Sequence, residues 1–102
     1  MHRHDEEHPY VALQYMDLGD CYELKGQFGD AEREYNKAAR IFQELGVDHE
    51  LLLAIAIKSA AEMARIQNKN EEAAKLKARA RQLVRAYCDR DLGIEEFGGG
   101  AA

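Results

Sequence analysis

Residues 15–38 carry the sequence YMDLGDCYELKGQFGDAEREYNKA, in which aromatic and small side chains recur at helical spacing. The small and turn-forming residues of this stretch and its flank return forty-two positions later. The matched pairs are Ala12 with Ala54, Gly19 with Ala61, Gly26 with Asn68, Ala31 with Ala73, and Ala38 with Ala80. A fixed period of this kind is typical of stacked repeat architectures, in which each unit buries its apolar face on the next. The sequence therefore predicts a two-unit scaffold.

The secondary structure follows from the spacing of the apolar residues, which recur every three or four positions, and no segment alternates over a strand's length. This pattern predicts an all-α protein of four helices. Pro9 suits a first helical turn, and Gly26 suits the end of the same helix. Asp30, Asp48 and Asn70 have side chains suited to capping the starts of the second, third and fourth helices.

These signals divide the chain into three parts. We expect a flexible N-terminal segment over residues 1–8, a domain over residues 9–87 and a C-terminal tail over residues 88–102. The two units of the domain would span about residues 9–46 and 47–87. The tail ends in three glycines and two alanines, a composition that is costly to order without a partner.

Composition and charge limit the class of protein to which the chain can belong. Of the 102 residues, 46% are hydrophobic and 32% are charged, as in ordinary globular domains. A fold of this size has a thin core, so we expect self-association as a homo-oligomer. Residues 1–50 contain twelve acidic and five basic residues, whereas residues 51–102 contain seven acidic and nine basic ones. Such a gradient can orient contacts between chains.

The sequence also predicts a location. The longest apolar run, Leu51–Ile57, is far too short to cross a membrane, so we expect no membrane association. The N-terminus lacks the apolar stretch of a signal peptide. Cys21 and Cys88 stand far apart without a C-x-x-C motif, as packing residues or free thiols do in a reducing compartment. These features together predict a cytoplasmic protein.

One motif has a family resemblance. It reads Tyr15-x-x-Leu18-Gly19-x-x-Tyr22, then Ala31-x-x-x-Tyr35-x-x-Ala38. This pattern resembles the tetratricopeptide repeat, and the forty-two-residue spacing is similar to the repeats of its kinesin light chain-like branch. The resemblance covers roughly residues 8–87, although the second unit is degenerate. It implies two tandem helix-turn-helix units that form a short α-solenoid.

The resemblance also implies a concave groove lined by the first helix of each unit. Its residues would be Leu13, Met16, Asp20, Glu23 and Leu24 from the first unit, and Ile55, Lys58, Glu62 and Arg65 from the second. Apolar anchors with both charges suit an extended or helical peptide. The alternative interpretation is a pair of solvated helix faces without a partner.

The start of the third helix is unusually apolar. Large aliphatic side chains occupy five of the seven positions from residue 51 to residue 57, more than one core-facing stripe requires. We therefore predict that Leu51, Leu52 and Ile55 form an oligomer surface or a tail-docking surface. The occupant would be a second chain, a ligand, or the tail, whose apolar residues alternate with acidic ones.

Other chemistries have little support in the sequence. His2, His4 and His8 are competent metal ligands but precede the first helix without fixed geometry, so we expect no metal site. The basic residues of the fourth helix scatter around it without a stacking platform, which argues against nucleic acid. No nucleophile with a base and no phosphate-binding loop is present, so we expect neither an enzyme nor a cofactor.

The sequence thus predicts a non-catalytic scaffold that binds a protein or peptide partner and self-associates. The alternative is a structural spacer from a longer repeat array, with no binding role of its own.

Overall fold

The chain folds into consecutive helices in a computed structural model that describes residues 8–92. Within this range the secondary structure is helical and contains no β-strand. The helices are α1 (Pro9–Leu24), α2 (Phe28–Leu45), α3 (Glu50–Ile66) and α4 (Asn70–Tyr87), with a 3₁₀ turn at Val47–His49. Each helix packs chiefly against the next one along the chain. The predicted all-α class and the number of helices are confirmed.

Helix α1 begins at Pro9, as the sequence predicts, but the capping residues of the other three helices differ from the expectation. None of the three predicted caps is correct: Asp30 lies inside the first turn of α2, Asp48 lies in the 3₁₀ turn, and Asn70 is the first residue of α4. The residues at the capping positions are instead Gln27, His49 and Lys69. Asp30 still complements the helix dipole from the first turn of α2.

The α1–α2 and α3–α4 turns have the same backbone hydrogen bonds. The donor and acceptor residues are Gly26 to Glu23 and Gln27 to Tyr22 in the first turn, and Asn68 to Arg65 and Lys69 to Ala64 in the second, each at 2.9 Å. Gly26 and Asn68 have φ angles of +75° and +68°, as the Schellman type of helix end requires. Asparagine tolerates this conformation better than most side chains. The two turns are therefore equivalent in backbone geometry as well as in sequence position.

The core consists of two clusters of buried residues. The first is Ala12, Ala38, Ile41, Phe42, Leu53, Ala54, Ala56, Ile57 and Ala80, to which all four helices contribute. The second joins α2 to α3 through Ala31, Tyr35, Ala60 and Met63. Alanines make up five of the nine residues of the first cluster and two of the four in the second, so the helix backbones can approach each other closely. The alanines at equivalent positions of the two helix pairs are buried in both.

Tyr35 determines how closely α1 and α2 approach. Its buried ring lies on Gly19, where an added Cβ would stand only 2.5 Å from the ring atom Cε1. At the equivalent positions of α3 and α4 the chain has Ala61 and Lys77. The second pair lacks the Tyr35 ring and has the methyl group of Ala61 in place of the Gly19 hydrogen, so the two differences compensate each other in volume.

A polar contact connects the two helix pairs. The buried carboxylate of Glu32 in α2 accepts hydrogen bonds from Gln67 Nε2 at 2.8 Å and from Lys69 Nζ at 3.0 Å. The hydrogen bond to Glu32 raises the pKa of Lys69. Both donors belong to the α3–α4 turn, so this carboxylate holds the turn of the second pair against the first.

The helical conformation continues beyond α4. Cys88–Leu92 form a π-helical turn, so the helical part of the chain extends into the predicted tail. Arg90 Nη2 donates to Glu50 Oε1 at 2.7 Å, which places this turn beside the start of α3. The rest of the predicted tail and residues 1–7 of the predicted N-terminal segment lie outside the described residues. His8 is described, and its Nδ1 accepts a hydrogen bond from the Tyr10 N–H at the start of α1.

We predict that Gly19→Ala lowers the free energy of unfolding by about 1–3 kcal/mol, because its methyl group overlaps the Tyr35 ring. Gly29→Ala is the matched control. Its Cβ would meet only Gln67 Oε1, at an ordinary 3.5 Å, and alanine favours a helix by up to about 1 kcal/mol over glycine. Urea denaturation of both variants measures the difference. A Gly19→Ala protein as stable as the wild type would contradict the close contact.

Candidate functional site

The predicted groove residues of α1 fall into separate environments. Leu13 is 43% exposed, and Leu24 is more exposed still. Met16 is half-buried and packs against both core clusters, so it contributes more to the core than to a free surface. Asp20 and Glu23 are held by a neighbouring helix. The α1 part of the predicted groove therefore offers two apolar side chains and two fixed carboxylates.

The hydroxyl of Tyr35 fixes those carboxylates. It lies 2.6 Å from Asp20 Oδ1 and 2.8 Å from Glu23 Oε1, and its single proton is shared between them. Burial of the phenol, together with the hydrogen bonds to the two carboxylates, raises the pKa of Tyr35 far above its ordinary value of 10. The phenol is therefore neutral and holds two negative side chains on the surface of α1.

Four predicted residues meet at one cavity of about 530 Å³. They are Glu23 from α1 and Lys58, Glu62 and Arg65 from α3, and α4 contributes Lys77. Arg65 and Glu62 form an ion pair along α3. The hydrogen bond from Arg65 lowers the pKa of Glu62, and the charge of Lys77 adds to the effect. The cavity thus presents both charges, as the sequence predicts for this set of residues.

A second cavity of about 680 Å³ lies between α3 and α4. Its lining includes three large apolar residues, Leu51, Ile55 and Val84, and four basic residues, Lys58, Lys77, Arg81 and Arg85. Lys58 and Lys77 line both cavities, so the two cavities are adjacent. Six of the residues that line the second cavity define what we name the α3–α4 groove: Leu51, Ile55, Val84, Lys58, Lys77 and Arg81.

The predicted apolar surface of α3 is divided between this groove and the core. Leu51 and Ile55 line the groove, where Ile55 is 51% exposed. Leu52 instead packs against the first core cluster. Successive residues of a helix point about 100° apart, so neighbouring leucines face different surroundings.

The contribution of α4 was missing from the sequence-based prediction. Lys77 and Arg81 occupy the positions that Tyr35 and Ala39 hold in the first helix pair, and Lys58 likewise corresponds to Met16. All three exchanges replace an uncharged side chain by a basic one. This change between equivalent positions is the sequence signal that locates the groove.

Comparison of the chain with protein-family models, with curated proteins and with solved structures finds no match. Within residues 8–92, no three His, Cys, Asp or Glu side chains gather as metal ligands. None of the helices in that range combines the length and the apolarity needed to cross a membrane.

We predict that Tyr35→Phe lowers the free energy of unfolding by about 1 kcal/mol at pH 7, because both carboxylates lose their donor. Because the pKa of Tyr35 is raised, the folded protein keeps the phenol proton above about pH 10, whereas the unfolded chain releases it there. This contribution is therefore present below about pH 10 and is lost as the pH rises further.

Urea denaturation of wild type and Tyr35→Phe between pH 7 and about 11 measures this effect. The stability difference should shrink above about pH 10, and a difference that stays constant would contradict the shared hydrogen bond. Tyr10→Phe is the control, since Tyr10 is 63% exposed and its replacement should leave stability unchanged.

Proposed function

We propose that this chain is a two-unit module of the tetratricopeptide type, similar to the kinesin light chain-like branch, that works by non-catalytic protein binding. The equivalence of the two helix pairs carries the proposal. Their turns have the same hydrogen bonds forty-two residues apart, with positive φ at both Gly26 and Asn68. Stacked units of this kind form extended surfaces that bind other proteins.

The proposed binding surface consists of the exposed faces of α1 and α3. Asp20 and Glu23 supply fixed negative charge on α1, while Lys58 and the Glu62–Arg65 ion pair supply both charges on α3. Leu13 and Ile55 are exposed apolar side chains at equivalent positions of the two helices. A peptide or partner helix with apolar anchors and flanking charges of both signs matches this surface.

The proposal includes no cofactor and a cytoplasmic location. Cys21 and Cys88 are unpaired, which fits a reducing compartment.

Self-association is the second part of the proposal. Leu18 on α1 is 45% exposed, whereas Ala60, its equivalent on α3, is buried against α2. On α3 this position packs against the first helix pair, whereas on α1 no described residue covers it. A second copy that packs on this face would bury Leu18.

A selection of displayed random peptides against the wild-type chain tests the binding proposal. We predict that Lys58→Ala weakens the selected peptides at least about tenfold and changes stability by less than about 0.5 kcal/mol. Arg40→Ala, an exposed change on α2, is the control and should bind normally. Peptides that bind both variants equally would contradict the binding surface. A chain that selects no peptide favours the structural spacer.

We predict that Leu18→Glu reduces the mass of the protein in concentrated solution without lowering its stability by more than about 0.5 kcal/mol. The added charge would be buried if a second copy packed on this face. Sedimentation velocity at several concentrations measures the mass. A wild-type protein that stays monomeric at all concentrations would contradict the self-association proposal and would not affect the peptide-binding proposal.

A further inference from the structure

The α3–α4 groove contains basic side chains without a counterpart. Lys58 and Arg81 form no ion pair or hydrogen bond with any residue in the described range, and Lys77 has only the nearby charge of Glu62. Beside them lie the exposed apolar side chains of Leu51, Ile55 and Val84. A groove of this composition favours an occupant that is both apolar and acidic.

A second copy does not match this requirement. If α1 of another chain packed here as α3 packs on the first helix pair, Lys77 and Lys58 would take the places of Tyr35 and Met16. Ala60 packs in the same cluster as Tyr35. Because Leu18 is the equivalent of Ala60 and Lys77 is the equivalent of Tyr35, Leu18 of the second copy would then cover Lys77. Burying unpaired cations beneath apolar side chains is costly.

A short segment of the same chain has the matching chemistry. Residues 93–97 read GIEEF and combine two apolar side chains with two acidic ones. The hydrogen bond from Arg90 to Glu50 places the preceding turn at the Leu51 end of the groove. Five extended residues span about 16 Å, whereas Lys58 lies only about 10 Å along α3 from Leu51. The segment can therefore reach the groove of its own chain.

We propose that residues 93–97 bind in the α3–α4 groove of their own chain. Ile94 and Phe97 contact the apolar side chains of the groove, and Glu95 and Glu96 pair with its basic side chains. Gly93 permits the reversal of chain direction that this requires, because it can adopt positive φ. The binding is independent of any external partner, so it does not rest on the function proposed above.

The amide spectrum of the full-length chain, labelled with nitrogen-15, tests the contact. Phe97→Asp should shift the amide signals of Leu51, Ile55 and Val84 while leaving that of Leu18 on α1 in place. Ala102→Asp adds the same charge at the end of the chain and should not shift the groove signals. Changes confined to residues beyond Leu92 would overturn the proposal.

A pair of stability measurements keeps the test independent of the spectrum. Ile55→Asp should lower the Tm by several degrees in the wild-type background and have much less effect in the Phe97→Asp background. Leu13→Asp, at the equivalent exposed position of α1, should shift the Tm equally in both backgrounds. Equal effects of Ile55→Asp in the two backgrounds would contradict the contact.

Dilution distinguishes the source of the segment. Groove signals that do not move on dilution support binding within one chain. Signals that move with concentration assign the groove to the segment of a neighbouring chain or to a second copy, and overturn the proposal. No partner is present in these measurements, so their failure leaves the peptide-binding proposal untouched.

Discussion

The contact between the Tyr35 ring and the backbone of Gly19 sets the distance between α1 and α2, and other features depend on it. The ring also belongs to the cluster with Ala60 and Met63, so the position of α3 depends on the same side chain. Its hydroxyl orients Asp20 and Glu23 on the surface. Core packing and the charge of the candidate binding surface are therefore linked through one residue, and a change at Tyr35 would alter both.

The second helix pair has different side chains at the positions of this contact. Ala61 and Lys77 stand at the positions of Gly19 and Tyr35, so a methyl group and a flexible cation replace close contact with a buried ring. The helix pairs thus have equivalent turns but different surfaces: α3 packs against the first pair, and the second pair presents charge.

The parts of the fold that depend on local pattern were predictable from the sequence. Helical periodicity, the turn at Gly26 and its equivalent at Asn68 depend on neighbouring residues and on backbone preference. The start of α1 at Pro9 was predictable from the proline itself, whereas the capping residues of α2, α3 and α4 were not, because competing caps differ by little free energy. The contribution of α4 to the α3–α4 groove was missed for another reason. Both the position of Lys77 in this groove and the partial burial of Met16 depend on the angle between helices, which periodicity does not determine.

Two residues connect the proposed surfaces. Ile55 and Lys58 line the α3–α4 groove and also belong to the proposed binding surface of α1 and α3. If residues 93–97 occupy the groove, a partner that needs these two side chains must first displace the segment. Its apparent affinity is then its intrinsic affinity multiplied by the fraction of chains in which the groove is open. A protein of 102 residues buries little apolar surface, so a segment bound in the groove would also stabilise the fold. A partner must then replace the lost contacts as well as make its own, which favours long ligands with apolar anchors over short charged ones.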